Sequence, residues 1–241
     1  IGDHVFRNSL HKANVIPTTV DRALEKLHFK TAAILYAAND DFTVSAYKTF
    51  KKVLDDKGIE IVSTQTFNEG DVDFKAQLTA VQAAKPDVLV VSALYNEAAH
   101  LLMQARDMGL DQPVIGGNGF NSPDLIKIGG QAVEGAIVGS PWFAGKDDPV
   151  AQAFVSAYKQ KYGDIPDQFA AQAYDAVYLY KTAMESNPPA TLTDRDKLRD
   201  ALAQIKNFHG VTGIFSFDAE GNPSMDATIL QVQNGTYVEY K

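Results

Sequence analysis

A short apolar run followed by a helix-length amphipathic run occurs three times between Thr31 and Gly117. Buried parallel strands are typically near-continuous apolar runs, because helices cover both faces of their sheet. The alternation therefore predicts an α/β fold with a doubly wound parallel sheet. The predicted strands are Thr31–Ala38, Ile59–Thr64, Asp87–Ser92 and Pro113–Gly117, and the predicted helices between them are Phe42–Lys57, Asp73–Ala84 and Glu97–Gly109.

The pattern changes after Asp147, where three amphipathic helices follow one another without an intervening strand. Such helices need an apolar surface to pack on, and no neighbouring strand is evident in this part of the sequence. The predicted helices are Asp148–Tyr162, Asp167–Met184 and Thr193–Ile205. The remaining predicted elements are a helix from near Pro17 to Phe29, a strand within Glu134–Trp142, and short strands in Gly210–Asp218 and Thr228–Tyr240, the last with a hairpin turn at Asn234-Gly235.

Composition excludes several classes of protein. The 241 residues suffice for one large domain or two small ones. The net charge of −8, without a cluster of Lys or Arg, argues against nucleic acid as a partner. The absence of cysteine excludes disulfides, thiol catalysis and thiolate metal sites. No apolar run approaches the ~20 residues needed to span a bilayer. The chain opens on polar residues without a signal peptide, as a processed secreted protein or a fragment would.

No catalytic motif is evident. The five histidines are scattered without metal-ligand spacing, so neither a metal nor a cofactor is expected. Val138-Gly139-Ser140-Pro141 fails the Gly-x-Ser-x-Gly pattern of serine hydrolases. Gly116-Gly117-Asn118-Gly119 lacks the lysine of a phosphate loop and suggests a tight turn close to a small ligand. Ligand binding is therefore favoured over catalysis, and an enzyme remains the least supported alternative.

Ligands of open parallel sheets sit beyond the carboxyl ends of the strands, where this sequence places aromatic and acidic residues. Phe42, Tyr95 and Phe120 each follow a predicted strand, and we expect them either to line a crevice or to close the edge of the core. Asp40 and Asp41 are left between helix capping and lining the cleft. Asp73 and Asp148 are predicted to be helix caps.

Short motifs occur in a characteristic order along essentially the whole chain. They are Val5-Phe6-Arg7, Asn39-Asp40-Asp41-Phe42, Gly70-Asp71-Val72-Asp73-Phe74, Gln104-Ala105-Arg106, Glu134-Gly135, Tyr162-Gly163, Tyr174-Asp175-Ala176 and Gly210-Val211-Thr212-Gly213. Each motif is weak alone, but together they resemble the solute-binding proteins of branched-chain amino acid ABC transporters, the leucine/isoleucine/valine-binding family with the type I periplasmic-binding-protein fold.

This resemblance implies two α/β lobes joined by three crossings, with a ligand cleft between the lobes. It assigns residues 8–139 and 219–241 to the second lobe and residues 143–209 to the helical remainder of the first lobe. The crossings would be residues 5–7, 140–142 and 210–218. The N-terminal stretch that normally forms the sheet of the first lobe would be missing, which would explain the three helices without strands and leave the first lobe incomplete.

The resemblance also implies ligand contacts. Phe42 and Thr43 occupy the loop in which the family usually has Tyr-Gly, and Tyr95 follows the next strand. Asn118 stands where amino acid binders often carry a glutamate that pairs with the ligand ammonium. Phe169 and Tyr174 would face the cleft from the first lobe.

The implied function is extracytoplasmic capture of a small amino acid and its delivery to ABC permease subunits. The alternatives are a regulatory or receptor ligand-sensing domain of the same fold, and a binder of aromatic carboxylates. If the truncation is real, ligand affinity should be weak or absent. The apolar helix faces around Phe154, Tyr158, Tyr174 and Tyr178 should then be exposed or covered by self-association.

Overall fold

The computed structural model describes residues 2–186 and 194–240. The described strands are β1 Thr31–Ala37, β2 Glu60–Phe67, β3 Val88–Ser92, β4 Val114–Gly116, β5 Ile137–Ser140, β6 Phe208–Gly210, β7 Gly213–Phe215, β8 Thr228–Gln233 and β9 Thr236–Glu239. The described α-helices are α1 Lys12–Leu27, α2 Asp41–Asp56, α3 Lys75–Ala84, α4 Tyr95–Asp107, α5 Pro123–Gly129, α6 Pro149–Tyr162, α7 Gln168–Glu185 and α8 Arg195–Ala203.

The chain divides into two compact units. Unit 1 comprises Ile1–His11 and Pro141–Ala227, and unit 2 comprises Lys12–Ser140 and Thr228–Lys241. The predicted crossing at residues 210–218 lies within unit 1. The assignment of residues 8–139 and 219–241 to a second lobe, and of residues 143–209 to a first lobe, stays a prediction.

Unit 2 contains a seven-stranded sheet with the order β2-β1-β3-β4-β5-β8-β9. The first five strands are parallel, and β8 and β9 continue the sheet in antiparallel orientation. All five residues of β3 are buried, which requires cover on both faces of the sheet. The α/β fold with a parallel, doubly wound sheet, predicted from the alternating apolar runs, is confirmed.

Local signals set several boundaries in unit 2. Asp40 caps α2, because its carboxylate accepts the N–H groups of Phe42 and Thr43 at 3.1 and 3.0 Å. At the other end of α2, Gly58 has a φ of +70°, which suits the residue after a helix. Asn234 and Gly235 both have positive φ, as a type I′ turn requires, and they connect β8 to β9.

Several predicted boundaries are wrong. The first helix begins at Lys12, so Pro17 lies in its second turn rather than its first. Asp73 does not occupy the N-cap of α3, although its carboxylate accepts the N–H of Lys75 at 3.1 Å. Phe74 does, because the side chain of Gln104 accepts the N–H of Phe74 at 2.8 Å and fixes the backbone there. β5 lies within the predicted Glu134–Trp142, and it ends before Pro141, which has no N–H with which to extend the ladder.

Unit 1 contains α6, α7, α8 and the two-stranded antiparallel sheet β6-β7. The succession of three helices was predicted, but β6 packs beside α6 and α7, so the prediction of no adjacent strand is wrong. The predicted first residue of the third helix, Thr193, lies outside the described residues. Asp148 and Asp167 cap α6 and α7, and Asp194 caps α8.

A buried carboxylate connects α7 to the β6-β7 turn. Asp175 is fully buried and accepts the N–H groups of Val211 and Thr212, both at 2.8 Å, together with the Thr212 hydroxyl at 2.5 Å. Burial raises the pKa of Asp175, while these hydrogen bonds oppose the rise. The indole N–H of Trp142 donates to the carbonyl of Val211 at 2.9 Å, so both side chains hold the same turn.

Candidate functional site

The carboxyl ends of β1, β3 and β4 place three predicted ligand contacts at one edge of the sheet in unit 2. These strands are parallel neighbours, so the loops that follow them lie side by side. Phe42 follows β1, Tyr95 follows β3 and Asn118 follows β4, and all three side chains are partly exposed. We refer to Phe42, Tyr95 and Asn118 as the edge residues.

A close backbone approach brings these loops together. Gly119 lies against the loop after β3, and a Cβ at this position would lie 2.5 Å from the carbonyl oxygen of Ala93. The same atom would lie 3.3 Å from the ring of Phe42. Only glycine fits there without displacing backbone, so the tight turn predicted from Gly116-Gly117-Asn118-Gly119 positions Asn118 beside the other two loops.

The side chain of Thr43, next to Phe42 in the sequence, is not accessible. It is 1% exposed, and its hydroxyl donates to the carbonyl of Ala37 at 2.5 Å. Its own carbonyl accepts the hydroxyl of Ser92 at 2.8 Å. Thr43 therefore connects the start of α2 to the ends of β1 and β3, and a ligand contact through its hydroxyl stays a prediction.

Phe120 and Asp40 have structural roles at this edge. The ring of Phe120 is fully buried and packs against Gly116, which leaves no room for a Cβ there. Phe120 therefore closes the edge of the core, the second of the two predicted alternatives. Asp40 is the N-cap of α2, the first of its two predicted alternatives. Asp41 is exposed.

The sequence did not predict that a cation lies beside Phe42. The Lys12 ammonium lies 3.7 Å from the centroid of the Phe42 ring and also donates to the Phe42 carbonyl. A cation–π contact of this kind contributes about 0.5–1 kcal/mol at an exposed site. No signal in the sequence joins these two residues, because thirty positions separate them and Lys12 precedes the first predicted helix.

The two predicted contacts in unit 1 both lie on α7, where each is 40% exposed. Tyr174 packs between Phe154 and Tyr178, with ring centroids 4.9 and 4.6 Å away. A hydrogen bond with Tyr178 and partial burial raise the pKa of Tyr174. Phe169 lies in the first turn of α7, five residues before Tyr174, so the two side chains leave the helix in different directions.

The chemistry of the described residues fits binding. Within residues 2–186 and 194–240, no cluster of three or more His, Asp or Glu side chains could hold a metal ion. In the same residues, no helix combines the length and the apolar character needed to cross a membrane. The edge residues offer two aromatic faces and one amide, an arrangement that suits a small ligand with an apolar part and a polar end.

The sheet of unit 2 is mostly parallel, with helices between its strands, and this defines the class of the protein as α/β. The sequence profile of the periplasmic binding protein family matches residues 2–236, and the chain belongs to this family. The family consists of solute-binding proteins.

Individual relatives agree with this assignment. The chain is 29% identical to the leucine-, isoleucine-, valine-, threonine- and alanine-binding protein of Pseudomonas aeruginosa over 86% of its own length, but over only 54% of that protein. A leucine-binding protein from Thermotoga maritima superimposes with a TM-score of 0.90 at 29% identity, covering 98% of this chain and 67% of the other. The branched-chain amino acid transporter substrate-binding protein from Streptococcus pneumoniae, solved in complex with isoleucine, gives 0.87 at 32% identity and covers 98% and 68%. The chain thus spans about half the length of its curated relative and two thirds of these solved structures.

Proposed function

We propose that the chain belongs to an extracytoplasmic solute-binding protein that captures a branched-chain amino acid and delivers it to an ABC importer. The observation that carries the proposal is the family match from residue 2 to residue 236, which includes all three edge residues. Relatives described as binding leucine, isoleucine and valine support the choice of ligand.

The edge residues suggest how the ligand is recognised. The rings of Phe42 and Tyr95 offer an apolar surface to an aliphatic side chain, and the amide oxygen of Asn118 is an acceptor for the ligand ammonium. Thr43 contributes indirectly, because its hydrogen bonds hold Phe42 at the start of α2. Phe169 and Tyr174 remain proposed contacts of unit 1.

Nuclear magnetic resonance titration tests the proposal even at low affinity. We expect L-isoleucine and L-leucine at about 10 mM to shift the amide signals of the edge residues, because a dissociation constant near ~1 mM still corresponds to about −4 kcal/mol. The amides of the Asn234-Gly235 turn and a parallel titration with D-isoleucine serve as controls. Unmoved edge signals with both L-amino acids would contradict the proposal, whereas shifts with benzoate alone would support the aromatic carboxylate alternative.

Two variants separate ligand contact from structural support. Tyr95→Ala should abolish the isoleucine-induced shifts. Tyr240→Ala should preserve them, because Tyr240 directly follows β9 and is not one of the edge residues. Thr43→Val should preserve the shifts but lower the free energy of unfolding by about 1–2 kcal/mol, because the carbonyl of Ala37 loses its hydroxyl donor. If Thr43→Val removed the shifts without lowering stability, the hydroxyl would have to contact the ligand directly.

A further inference from the structure

Two asparagine–glycine pairs occur in the chain, Asn118-Gly119 and Asn234-Gly235. Asparagine is one of the thermolabile residues, and a following glycine, which has no Cβ, leaves the peptide group between the two residues free to rotate. The glycine nitrogen can then attack the side-chain carbon Cγ of the asparagine. The folded structure decides whether this attack occurs, and it holds the two pairs differently.

The pair at Asn118 is enclosed by packing. Gly119 is buried, and a Cβ at this position would lie 2.5 Å from the carbonyl oxygen of Ala93. The next residue, Phe120, is fully buried. Attack on Cγ requires the peptide group between the asparagine and the glycine to rotate, and a close-packed interior opposes this rotation. We therefore expect Asn118 to keep its amide in the folded chain.

The pair at Asn234 forms the hairpin turn between β8 and β9, and both of its residues are exposed. Within the described parts of the chain, no atom of another segment lies within 4 Å of a Cβ placed at Gly235. Asn234 has a φ of +52°, a left-handed conformation that side-chain-bearing residues adopt uncommonly. Packing therefore does not restrain the Gly235 nitrogen, and hydrogen bonds must do so.

A carboxylate from another segment of unit 2 binds this turn. Oε1 of Glu134 accepts the N–H of Gly235 at 2.6 Å, and Oε2 accepts the N–H of Asn234 at 2.9 Å. Hydrogen bonds to an ionised acceptor are roughly twice as strong as those between neutral groups. The bond to Gly235 engages the proton that must leave before the nitrogen attacks. The negative charge of Glu134 also opposes a second negative charge on that nitrogen.

We propose that Asn234 is a site of spontaneous deamidation and that Glu134 slows the reaction. The Gly235 nitrogen loses its proton to hydroxide and bonds to Cγ of Asn234. The bond from Cγ to Nδ2 breaks, and Nδ2 takes a proton from water and leaves as ammonia. Water then opens the resulting succinimide ring at either carbonyl and gives aspartate or isoaspartate. The net reaction consumes one water and releases one ammonia, with no oxidation or reduction.

The product disturbs its own turn. A new carboxylate at position 234 lies close to Glu134, and the two like charges repel each other. Isoaspartate also adds a carbon to the main chain, which lengthens a turn whose two-residue length sets the register of β8 and β9. Deamidation therefore weakens the attachment of the hairpin to the rest of unit 2.

Incubation of the full chain at mildly alkaline pH tests the proposal, because hydroxide removes the proton from the attacking nitrogen. Peptide mass spectrometry detects deamidation as a gain of one mass unit. We expect conversion at Asn234 and none at Asn118 in the same sample. In Glu134→Ala the rate at Asn234 should rise at least about threefold, since the nitrogen loses its charge-assisted hydrogen bond. Faster conversion at Asn118, unreacted Asn234 in both proteins, or a slower reaction in Glu134→Ala would overturn the proposal.

Two control variants separate the hydrogen bond to Gly235 from general loosening and from net charge. Gln231→Ala removes the side-chain bond from β8 to the carbonyl of Gly135, at 3.3 Å, and leaves the turn bound to Glu134. Glu239→Ala removes an exposed negative charge from β9. Both variants should deamidate at the rate of the unsubstituted chain. An acceleration in either that equals the effect of Glu134→Ala would overturn the role of Glu134.

Two further variants keep the test decisive if Glu134→Ala does not fold. Glu134→Gln retains one acceptor oxygen without the charge and should raise the rate at Asn234, by less than Glu134→Ala does. Asn234→Asp supplies one product directly, and amides of β8 and β9 should exchange hydrogen faster in it while those of β1 keep their rates. An unchanged deamidation rate in Glu134→Gln, or unchanged exchange in Asn234→Asp, would overturn the proposal.

Discussion

The helices of the two units differ in how many of their side chains are buried. In unit 2, α2 alone buries five side chains, and every residue of β3 is enclosed. In unit 1, α6 has fourteen residues against the sixteen of α2, yet it fully buries only one of them, and its aromatic side remains accessible. The difference indicates that the sheet of unit 2 supplies a complete packing surface, whereas the small β6-β7 sheet covers only part of the helices beside it. An amphipathic helix thus indicates where a packing surface is needed, even where the described residues supply only part of it.

The largest expected contrast is between two phenylalanines, one in each unit. Phe50→Ala in α2 removes a fully buried ring and should lower the free energy of unfolding of unit 2 by about 3–5 kcal/mol. Phe169→Ala removes a 40% exposed ring from α7 and should cost unit 1 less than about 1 kcal/mol. Urea unfolding followed by circular dichroism measures the first and Trp142 fluorescence the second, because the only tryptophan lies in unit 1. Equal losses would contradict the comparison.

A second prediction concerns what holds unit 1 together despite its open side. Asp175→Ala should lower the stability of unit 1 by about 3 kcal/mol, because the buried N–H groups of Val211 and Thr212 lose their acceptor. Trp142 fluorescence during urea unfolding reports the change directly, since its indole bonds to Val211. Asp175→Asn, which keeps one acceptor oxygen, should lose less. A change below about 0.5 kcal/mol in Asp175→Ala would show that another contact holds the turn.

The smallest expected effect is a pH dependence at the start of α6. The N–H of Ala151 and the nearby His209 hold the pKa of Asp148 below its usual 3.8. Because the folded state binds this proton less tightly, the stabilisation is present above pH 3.8 and is lost as the pH falls through the lowered pKa. Asp148→Asn should therefore destabilise unit 1 by at most about 0.5 kcal/mol at pH 7, and the difference should shrink as the pH falls through the lowered pKa. Asp147→Asn is the matched control, and an identical loss there would assign the effect to net charge instead of the cap.

The sequence predicted elements whose cause is local. The parallel strands, the capping by Asp148 and the Asn234-Gly235 turn follow from apolar runs and from the backbone preferences of short segments. The start of α3 depends on a distant residue. Phe74 takes the N-cap of α3 because Gln104, thirty positions away, accepts its N–H, and no local pattern contains that contact.

The same division holds for the candidate site. The order of the strands and the loops that follow them placed Phe42, Tyr95 and Asn118 at one edge from the sequence alone. Burial of Thr43 and the position of Lys12 against Phe42 could not be predicted, because each depends on how separate helices and strands pack.

The sequence by itself therefore determined the class of fold and the family, since these follow from periodicity and from motifs in order. It also predicted the edge of the sheet for a ligand, which stays a prediction. The tertiary structure alone decided which side chains at that edge are accessible and which helix faces remain uncovered. Accessibility is a property of packing between residues far apart in the chain, so a side chain such as Phe120 can follow a strand like Tyr95 and still be fully buried.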